Sequence, residues 1–337
     1  MIVLELSGLP IEKIPDAIGD LFNLLYLGLR NSKVKMLQKS VKKLSNLLTL
    51  DLFGCDIHEL PRGIVKLKKL KHLFAEKIID PHWRELACCS GIRIPNGFGN
   101  LTNLQTLQAL EACEDSIRYL RELTQLRRLR LWNVKGINCE PILDSLAQMQ
   151  YLSFLEVNAS DKDEVLSLNV PLPNLEKIHL GGRLDEGAVD KLTKVDEEDQ
   201  TKMSSPKLYS LILRWSQLRE DPLPFLSRLS KLQYLNFSRA YNGEQLAFRK
   251  DWFPKLKVLY LGDLPNLTRL QMEQGTMVSL EKLYLVNLDS MTEVPSDIQF
   301  LKALQYLEFG EITADFLVLL QRFPAIKNKS WQHTLRV

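Results

Sequence analysis

Apolar side chains recur along this chain with a spacing of 23 residues, and the recurrence begins at its first residues. Leu4 returns as Leu27 and again as Leu50, and each is followed two residues later by a second leucine. Aliphatic residues also follow each leucine pair at constant offsets. One short unit has therefore been copied, and because such a unit cannot bury its apolar side alone, the copies are expected to stack.

The Leu-x-Leu pair, in which isoleucine, valine, phenylalanine or alanine can replace one leucine, can be followed to the end of the chain. Its first residue stands at positions 4, 27, 50, 73, 107, 129, 155, 178, 211, 235, 259, 283 and 307. Two of the intervals are about ten residues longer than the others. The pattern thus predicts thirteen repeats with insertions at about 76–93 and 185–203.

The order L-x-x-L-x-L, followed by further spaced aliphatic residues, is typical of leucine-rich repeats. It predicts an α/β leucine-rich-repeat solenoid, curved, with a parallel sheet on the concave face and mixed helix and turn on the convex face. Strand side chains alternate sides, so the leucines should enter the core and the residues between them should face the open side. We expect one repeat domain over residues 1–325 and a tail over 326–337.

The convex side is expected to vary along the chain. Proline after an apolar residue, as at Pro15, Pro61 and Pro295, predicts the start of a turn, since its ring fixes φ. In the middle repeats, Ser116 and Pro141 should stand at the start of helices. A last amphipathic helix over 313–323 is expected to cap the final edge, whereas no cap precedes the first strand. That open first edge suggests a fragment, a truncated product, or a chain that lies against another domain upstream.

Charge and cysteine content limit the classes of function. Lysine and arginine number 44 against 41 acidic residues, so no overall field favours nucleic acid or an anionic membrane. The five cysteines lack disulfide-like spacing, and neither a signal peptide nor a membrane-spanning run occurs, which predicts a cytoplasmic protein, with the nucleus as a second location. Five N-x-S/T sequons are the observation that favours secretion instead.

The two insertions differ in composition. The first contains His82, Trp83, Cys88 and Cys89, but adjacent cysteines do not match the spacing of zinc ligands, so an ordinary loop is expected rather than a metal site. An enzyme that uses a thiol of this loop is the third and weakest hypothesis for the chain. The second insertion is strongly acidic and poor in apolar residues, which predicts a mobile loop. The phosphate-binding, dinucleotide-binding, hydrolase and HExxH motifs are absent, so neither a cofactor nor an enzymatic activity is predicted.

The open face of the predicted sheet carries the candidate binding residues. Aromatic and charged side chains, the types enriched at interface hot spots, concentrate there from the fourth repeat onward. The predicted protein-binding residues are Arg128, Arg130, Trp132, Phe154, Glu156, His179, Arg214, Tyr234, Tyr260 and Tyr284. The alternative is that these are ordinary cross-strand residues, and that Arg127, Arg128 and Arg130 are merely solvated or attract the acidic insertion of the same chain. A nucleic-acid groove would require a broader basic excess.

Several stretches resemble the leucine-rich-repeat region of plant intracellular immune receptors of the coiled-coil, nucleotide-binding class. The most particular are D-L-P-N-L at 263–267, G-T-M-V-S-L-E-K-L-Y-L at 275–285 and V-P-S-D-I at 294–298. The resemblance implies a recognition domain that senses a pathogen effector or a guarded host protein and restrains a nucleotide-binding module lying upstream or acting in trans. A stand-alone scaffold or decoy that binds host proteins is the alternative.

Two departures from the family pattern carry expectations of their own. Gln38 stands where the pattern would place proline. The asparagine or cysteine that closes regular leucine-repeat loops is met only by Cys55, so we expect loop backbone that side chains do not satisfy, and irregular curvature. For the recognition hypothesis, substitutions at Trp132, Arg130 or Tyr260 should weaken partner binding without unfolding the chain, whereas Leu50→Ala should cost about 2 to 5 kcal/mol.

Overall fold

The structure is a computed structural model that describes residues 2–82, 84–168, 174–193, 207–322 and 331–335. The chain divides into two compact units, Met1–Leu168 (unit 1) and Asn169–Val337 (unit 2). Among the described residues the strands are β1 (Val3–Glu5), β2 (Tyr26–Gly28), β3 (Thr49–Asp51), β4 (His72–Phe74), β5 (Lys77–Ile78), β6 (Cys89–Ser90), β7 (Thr106–Glu111), β8 (Arg128–Val134), β9 (Phe154–Ala159), β10 (Val165–Leu166), β11 (Lys177–Gly181), β12 (Arg183–Leu184), β13 (Ser210–Arg214), β14 (Tyr234–Ser238), β15 (Gln245–Phe248), β16 (Val258–Gly262), β17 (Arg269–Met272), β18 (Lys282–Val286), β19 (Tyr306–Ile312) and β20 (Trp331–Leu335).

Helices are short and lie between the strands. The α-helices are α1 (Glu114–Leu120), α2 (Cys139–Leu146), α3 (Ala188–Thr193), α4 (Leu223–Leu226) and α5 (Ala314–Arg322). The 3-10 helices among the described residues are Asp16–Asp20, Lys39–Lys43, Arg62–Lys66, Phe98–Asn100, Gly136–Asn138 and Ser296–Phe300.

In unit 1 the strands β1, β2, β3, β4, β7, β8 and β9 lie side by side in parallel. Their register aligns the first residue of every predicted leucine pair. Leu27 pairs with Leu50, and Leu107 pairs with Leu129, for example, and all four side chains are fully buried. The predicted repeat register of this unit is therefore confirmed.

Unit 2 repeats the arrangement with β11, β13, β14, β16, β18, β19 and β20. Here Leu211, Leu235, Leu259, Leu283 and Leu307 occupy one aligned row, and each is almost completely buried. The last strand, β20, lies within the segment assigned to a C-terminal tail. A further strand thus pairs with β19. Phe316 of α5 lies against Phe309, with ring centroids 6.0 Å apart, while the end of the predicted cap at residue 323 lies outside the described residues. The single domain over 1–325 stays a prediction.

The convex side follows the proline pattern. Pro15, Pro61 and Pro295 directly precede 3-10 helices, with φ between −61° and −67°. Gln38 adopts the same geometry, with φ −71° and ψ 151°, ahead of its own 3-10 helix. The missing proline therefore does not change the local fold. Pro141 lies in the first turn of α2, as predicted, whereas Ser116 lies inside α1 and accepts the N–H of Cys113 rather than heading the helix.

A row of left-handed residues, which the sequence pattern did not reveal, follows the strands. It stands four residues after the first core leucine, and we call it the strand-exit row. In unit 2 it consists of Trp215, Arg239, Asp263, Asn287 and Glu311, all with φ between 50° and 59°. The N–H of Arg239 donates to the carbonyl of Gly262, and that of Asp263 to the carbonyl of Val286. Because the next strand accepts these hydrogen bonds, the loop backbone at these two positions is satisfied by other backbone groups and not by asparagine or cysteine side chains. The irregular curvature stays a prediction.

The insertions are more ordered than their composition predicts. In the first, β5 and β6 form an antiparallel pair, and the chain then returns so closely to β7 that a Cβ added at Gly91 would lie 2.3 Å from the amide nitrogen of Glu111. In the second, α3 forms, and Asp190 pairs with Arg228 of the following repeat at 2.7 Å. The described part of the acidic insertion is therefore not the predicted mobile loop, and residues 194–203 lie outside the described residues.

Candidate functional site

The ten predicted binding residues fall into two groups, one on each unit. Strand β8 carries Arg128, Arg130 and Trp132, and β9 carries Phe154 and Glu156. Unit 2 carries the other five, on strands β11, β13, β14, β16 and β18, namely His179, Arg214, Tyr234, Tyr260 and Tyr284. The two groups have different geometry.

In unit 1 the charged residues form a largely buried network. Nη1 of Arg130 lies 2.6 Å from Oε2 of Glu76, and its Nε lies 3.2 Å from Oε2 of Glu156. The amide of Asn158 donates to the other oxygen of Glu156 at 3.1 Å. The guanidinium also lies over the ring of Phe154, 5.4 Å from its centroid. Two carboxylates therefore share one guanidinium in this arrangement, which we call the Arg130 network.

Trp132 belongs to this network and not to an open surface. Only 2% of Trp132 is exposed, and its indole N–H donates to Oε1 of Glu76 at 3.0 Å. Its neighbours in the core are Cys88, Cys89 and Ala109, so the first insertion covers it. The expectation that Trp132 is open to a partner is wrong. The same holds for Phe154 and Glu156, which are 9% and 4% exposed.

Burial governs the electrostatics of the network. It raises the pKa of Glu76, which is 1% exposed, while the charge of Arg130 opposes that shift and the charge of Glu156 reinforces it. Cys89 also has a raised pKa, first because of its hydrogen bond with Cys88 and second because of burial. A thiol held in its protonated form is a poor nucleophile. The network thus suits the internal packing of the repeats better than catalysis.

In unit 2 the half-buried tyrosines lie next to one another on the open face. The ring centroids of Tyr260 and Tyr284 are 5.9 Å apart, and those of Tyr284 and Tyr306 are 5.4 Å apart. Tyr234 lines the same groove. We call these four residues the tyrosine face. Tyr260 and Tyr284 occupy equivalent positions of paired strands, so the repeat itself aligns their side chains.

Glycine and carboxylate residues shape the tyrosine face. The ring of Tyr260 lies against the bare backbone of Gly262, where an added Cβ would be 2.5 Å from a ring carbon. The hydroxyl of Tyr306 donates to Glu308 at 2.7 Å. That hydrogen bond raises the pKa of Tyr306 to about 12, and burial raises the pKa of Tyr260 to about 12. The hydroxyls therefore remain protonated at neutral pH and present donors as well as apolar ring surface.

The strand-exit row follows the strands that carry the tyrosine face, and Glu311 of this row lines the same groove. The guanidinium of Arg239 lies 4.4 Å from the ring centroid of Trp215, and its Nε lies 3.6 Å from Oδ2 of Asp263. The amide of Asn287 donates to Oδ1 of Asp263 at 2.6 Å. These contacts fix four successive side chains of the strand-exit row.

The structure places the remaining predicted residues outside these two clusters. His179 and Arg214 are half-buried on β11 and β13, earlier in unit 2 than the tyrosines. Arg128 is exposed at the first position of β8. The sequence pattern places Tyr306 at an open position of the thirteenth repeat, but neither Tyr306 nor Glu76 was among the ten predicted binding residues. No sequence signal connects Glu76 with Arg130, because they are 54 residues apart.

The described residues offer no group of three or more histidine, cysteine, aspartate or glutamate side chains able to hold a metal ion. Within those same residues, no helix is long and apolar enough to cross a membrane. What the open face provides is a row of aromatic rings, hydroxyls and glycine backbone, which is the chemistry of a surface that binds another protein.

Repeat register, buried leucine rows and alternating strand and turn define a leucine-rich-repeat protein. The family described as "Leucine-rich repeat region" matches residues 2–289, and the chain belongs to it.

The relatives of this chain include disease resistance proteins of a plant. The chain is 33% identical over 174 residues to disease resistance protein RPM1 of Arabidopsis thaliana, covering 51% of this chain and 18% of RPM1. It is 25% identical over 316 residues to disease resistance RPP8-like protein 3 of the same plant, covering 91% of this chain and 32% of that protein. The chain thus spans a third or less of the length of these relatives. The resemblance to the leucine-rich-repeat region of plant disease resistance proteins is confirmed.

Among solved structures, the plant peptide hormone receptor RGFR1 in complex with RGF2 aligns with 99% of this chain and 56% of its own, with a TM-score of 0.54 and 17% identity. At this identity the likeness supports the leucine-rich-repeat fold alone, and the predicted fold class is confirmed.

Proposed function

We propose that this chain is the non-enzymatic recognition domain of a plant immune receptor, which binds a pathogen effector or a guarded host protein and restrains a nucleotide-binding signalling module. Its relatives are plant disease resistance proteins, and they support the immune role. The proposed location is the cytoplasm, with the nucleus as a second site.

The tyrosine face is the observation that carries the proposed recognition. Its rings are half-buried and held by neighbouring rings and by Glu308, so their side chains are ordered before a partner arrives. Tyrosine combines a large apolar ring with a hydroxyl and few rotatable bonds, and therefore loses little conformational entropy on binding. Truncation of such a residue at a hot spot costs about 2 kcal/mol or more of binding free energy.

The test of recognition uses a receptor that carries this region, expressed in leaf tissue and challenged with a pathogen to which it responds. The double variant Tyr284→Ala, Tyr306→Ala should abolish the defence response while the protein still accumulates. Tyr119→Ala is the matched control, because Tyr119 lies on α1 of unit 1, away from the open face. An unchanged response in the double variant would contradict recognition through the tyrosine face.

The test of restraint is separate. Residues 1–337 are analysed by size-exclusion chromatography with light scattering, alone and with the coiled-coil and nucleotide-binding part of a related receptor. A one-to-one complex is expected. A monomer that ignores the added part would instead favour the stand-alone scaffold.

A further inference from the structure

Four neighbouring strands of unit 1 begin in segments that contain no acidic residue. The segments are 68–72, 102–106, 124–128 and 150–154, and they lead into β4, β7, β8 and β9. Five exposed cationic side chains lie in them, and we call these the basic row: Lys68, Lys69, Lys71, Arg127 and Arg128.

Lys68, Lys69 and Arg127 make their contacts with neutral groups. Nζ of Lys68 donates to a backbone carbonyl at 3.3 Å, and Nζ of Lys69 donates to Oδ1 of Asn46 at 2.8 Å. The guanidinium of Arg127 lies over the ring of Tyr151, 5.6 Å from its centroid. Among the ion pairs formed by the described residues, none involves a member of the basic row.

The positive field of the basic row acts on a neighbouring histidine. His72 lies on β4 and has Nδ1 3.0 Å from the hydroxyl of Thr106 on β7. Its pKa is lowered first by burial and then by the charges of Lys71 and Arg128. Lys71, which precedes β4, and Arg128, which lies on β8, therefore both act on His72, although β4 and β8 are not adjacent.

Arg128 differs from its neighbour Arg130 in its carboxylate partners. Both lie on β8 and both point to the open face, two residues apart. Arg130 is held by the carboxylates of Glu76 and Glu156, and its side chain is only 23% exposed. Arg128 is exposed and has no carboxylate beside it among the described residues. Its guanidinium is therefore available to an acidic group from outside the chain.

We propose that the basic row is a docking surface for an acidic segment of a partner protein. Strands β4 and β8 are two steps apart, so Lys71 and Arg128 belong to backbones about 10 Å from each other. An extended peptide advances about 3.3 Å per residue, so two acidic side chains two or three residues apart reach both positions. Arginine binds carboxylates through paired, charge-assisted hydrogen bonds.

Nucleic acid fits these observations less well. The cations of the row lie only in the segments that lead into β4 and β8, and the chain as a whole has a net charge of only +3. A nucleic-acid site requires cations that follow a phosphate backbone over a longer path. The surface is on unit 1 and involves none of the tyrosines of unit 2, so it can be tested independently of the proposed recognition surface.

The experiment measures binding of fluorescein-labelled hexaglutamate to residues 1–337 by fluorescence anisotropy at low and moderate salt, with hexaglutamine as the uncharged probe. We expect salt-sensitive binding of hexaglutamate only. The double variant Arg127→Gln, Arg128→Gln should weaken it at least about tenfold. The control variant Lys13→Gln, Lys33→Gln has the same change in net charge at exposed positions of unit 1 and should bind as the wild type does.

Three outcomes would overturn the proposal. Hexaglutamate does not bind the wild type; or both double variants lose affinity equally, which would mean that net charge alone is responsible; or labelled oligothymidylate binds more tightly than hexaglutamate, which would assign the row to nucleic acid. Circular dichroism of each variant verifies that it is folded, and a misfolded pair is replaced by Lys69→Gln, Lys71→Gln, for which the same loss is expected.

Discussion

The same position of the repeat serves opposite purposes in the two units. In unit 1 the residue between the two core positions is Arg130 on β8 and Glu156 on β9, and both are enclosed in an ion network. In unit 2 it is Tyr260 on β16 and Tyr284 on β18, and both remain half-buried on an open groove. Residue type and repeat position alone therefore do not show whether a side chain of the sheet face is available.

An insertion makes the difference. The segment 76–93 supplies Glu76 to Arg130, and Cys88 and Cys89 to Trp132. In unit 2, β14, β16, β18 and β19 follow one another at intervals of 24 residues, and the groove over them is lined mainly by residues of these strands and by Glu311 of the exit row. A covered face stabilises the stack of repeats, whereas an uncovered face can bind a partner.

The largest expected effect is the loss of Arg130. In the variant Arg130→Met, Glu76 and Glu156 remain as buried carboxylates without their shared cation. Breaking a buried ion pair from one side costs about 3 to 5 kcal/mol. Urea unfolding followed by circular dichroism should show this loss. A variant as stable as the wild type would mean that the network is not important for the fold of unit 1.

A smaller effect is expected for the corresponding position in unit 2. Tyr284→Ala removes two ring contacts, with Tyr260 and Tyr306, that are worth about 0.5 to 1.5 kcal/mol each. The adjacent core variant Leu283→Ala should cost more, about 2 to 5 kcal/mol, because Leu283 is fully buried. Equal losses in urea unfolding would contradict the assignment of Tyr284 to a surface and Leu283 to the core.

The buried Glu76 of unit 1 should also make the free energy of unfolding depend on pH. Because the folded state raises the pKa of Glu76 above its ordinary value of 4.5, this group favours folding when protonated, and its contribution is lost as the pH rises through the raised pKa. Glu76→Gln keeps an acceptor for Trp132 but cannot ionise. The free energy of unfolding of Glu76→Gln relative to wild type should therefore increase as the pH rises from 4 toward neutrality. A constant difference across that range would contradict the raised pKa.

Much of the fold could be predicted from the sequence, because the spacing of the repeats determines which residues of neighbouring strands align. The predicted core positions of the leucine pairs, from Leu27 to Leu307, lie at the expected positions of the strands. The turns at Pro15 and Pro61 could be predicted because proline fixes φ locally. These are short-range or periodic properties, and a single sequence contains them completely.

The candidate site was only partly predictable, since its availability depends on contacts over long sequence separations. Trp132 has the composition of a hot spot, yet the insertion that buries it begins 56 residues earlier at Glu76. The alignment of Tyr260 with Tyr284 follows from the repeat, but the pairing of Asp263 with Arg239 depends on left-handed backbone at both residues, which the residue type of Arg239 does not indicate.

The strand-exit row allows the two units to be compared at a single backbone position. Substitutions there are expected to have the smallest effect on the free energy of unfolding. In unit 1 this position is glycine at Gly8 and Gly54, both with φ of 72°, and asparagine at Asn31 and Asn133, whereas unit 2 has Glu311 there with φ of 51°. A left-handed conformation is strained for a residue with a Cβ and is free of strain for glycine. Glu311→Gly should therefore raise the free energy of unfolding by up to about 1 kcal/mol, and Glu311→Ala, which keeps the Cβ, should not.

The converse substitution in unit 1 should destabilise. A Cβ at Gly54 would clash with the side-chain oxygen of Asn31, 2.0 Å away, in addition to the strained φ. Gly54→Ala is thus expected to lower the free energy of unfolding by about 1 to 2 kcal/mol, measured by the same urea titration. If Glu311→Gly destabilised as much as Gly54→Ala, the two exit positions would differ in more than their Cβ atoms. Opposite signs would show that one backbone conformation is shared by both units and is occupied at different energetic cost.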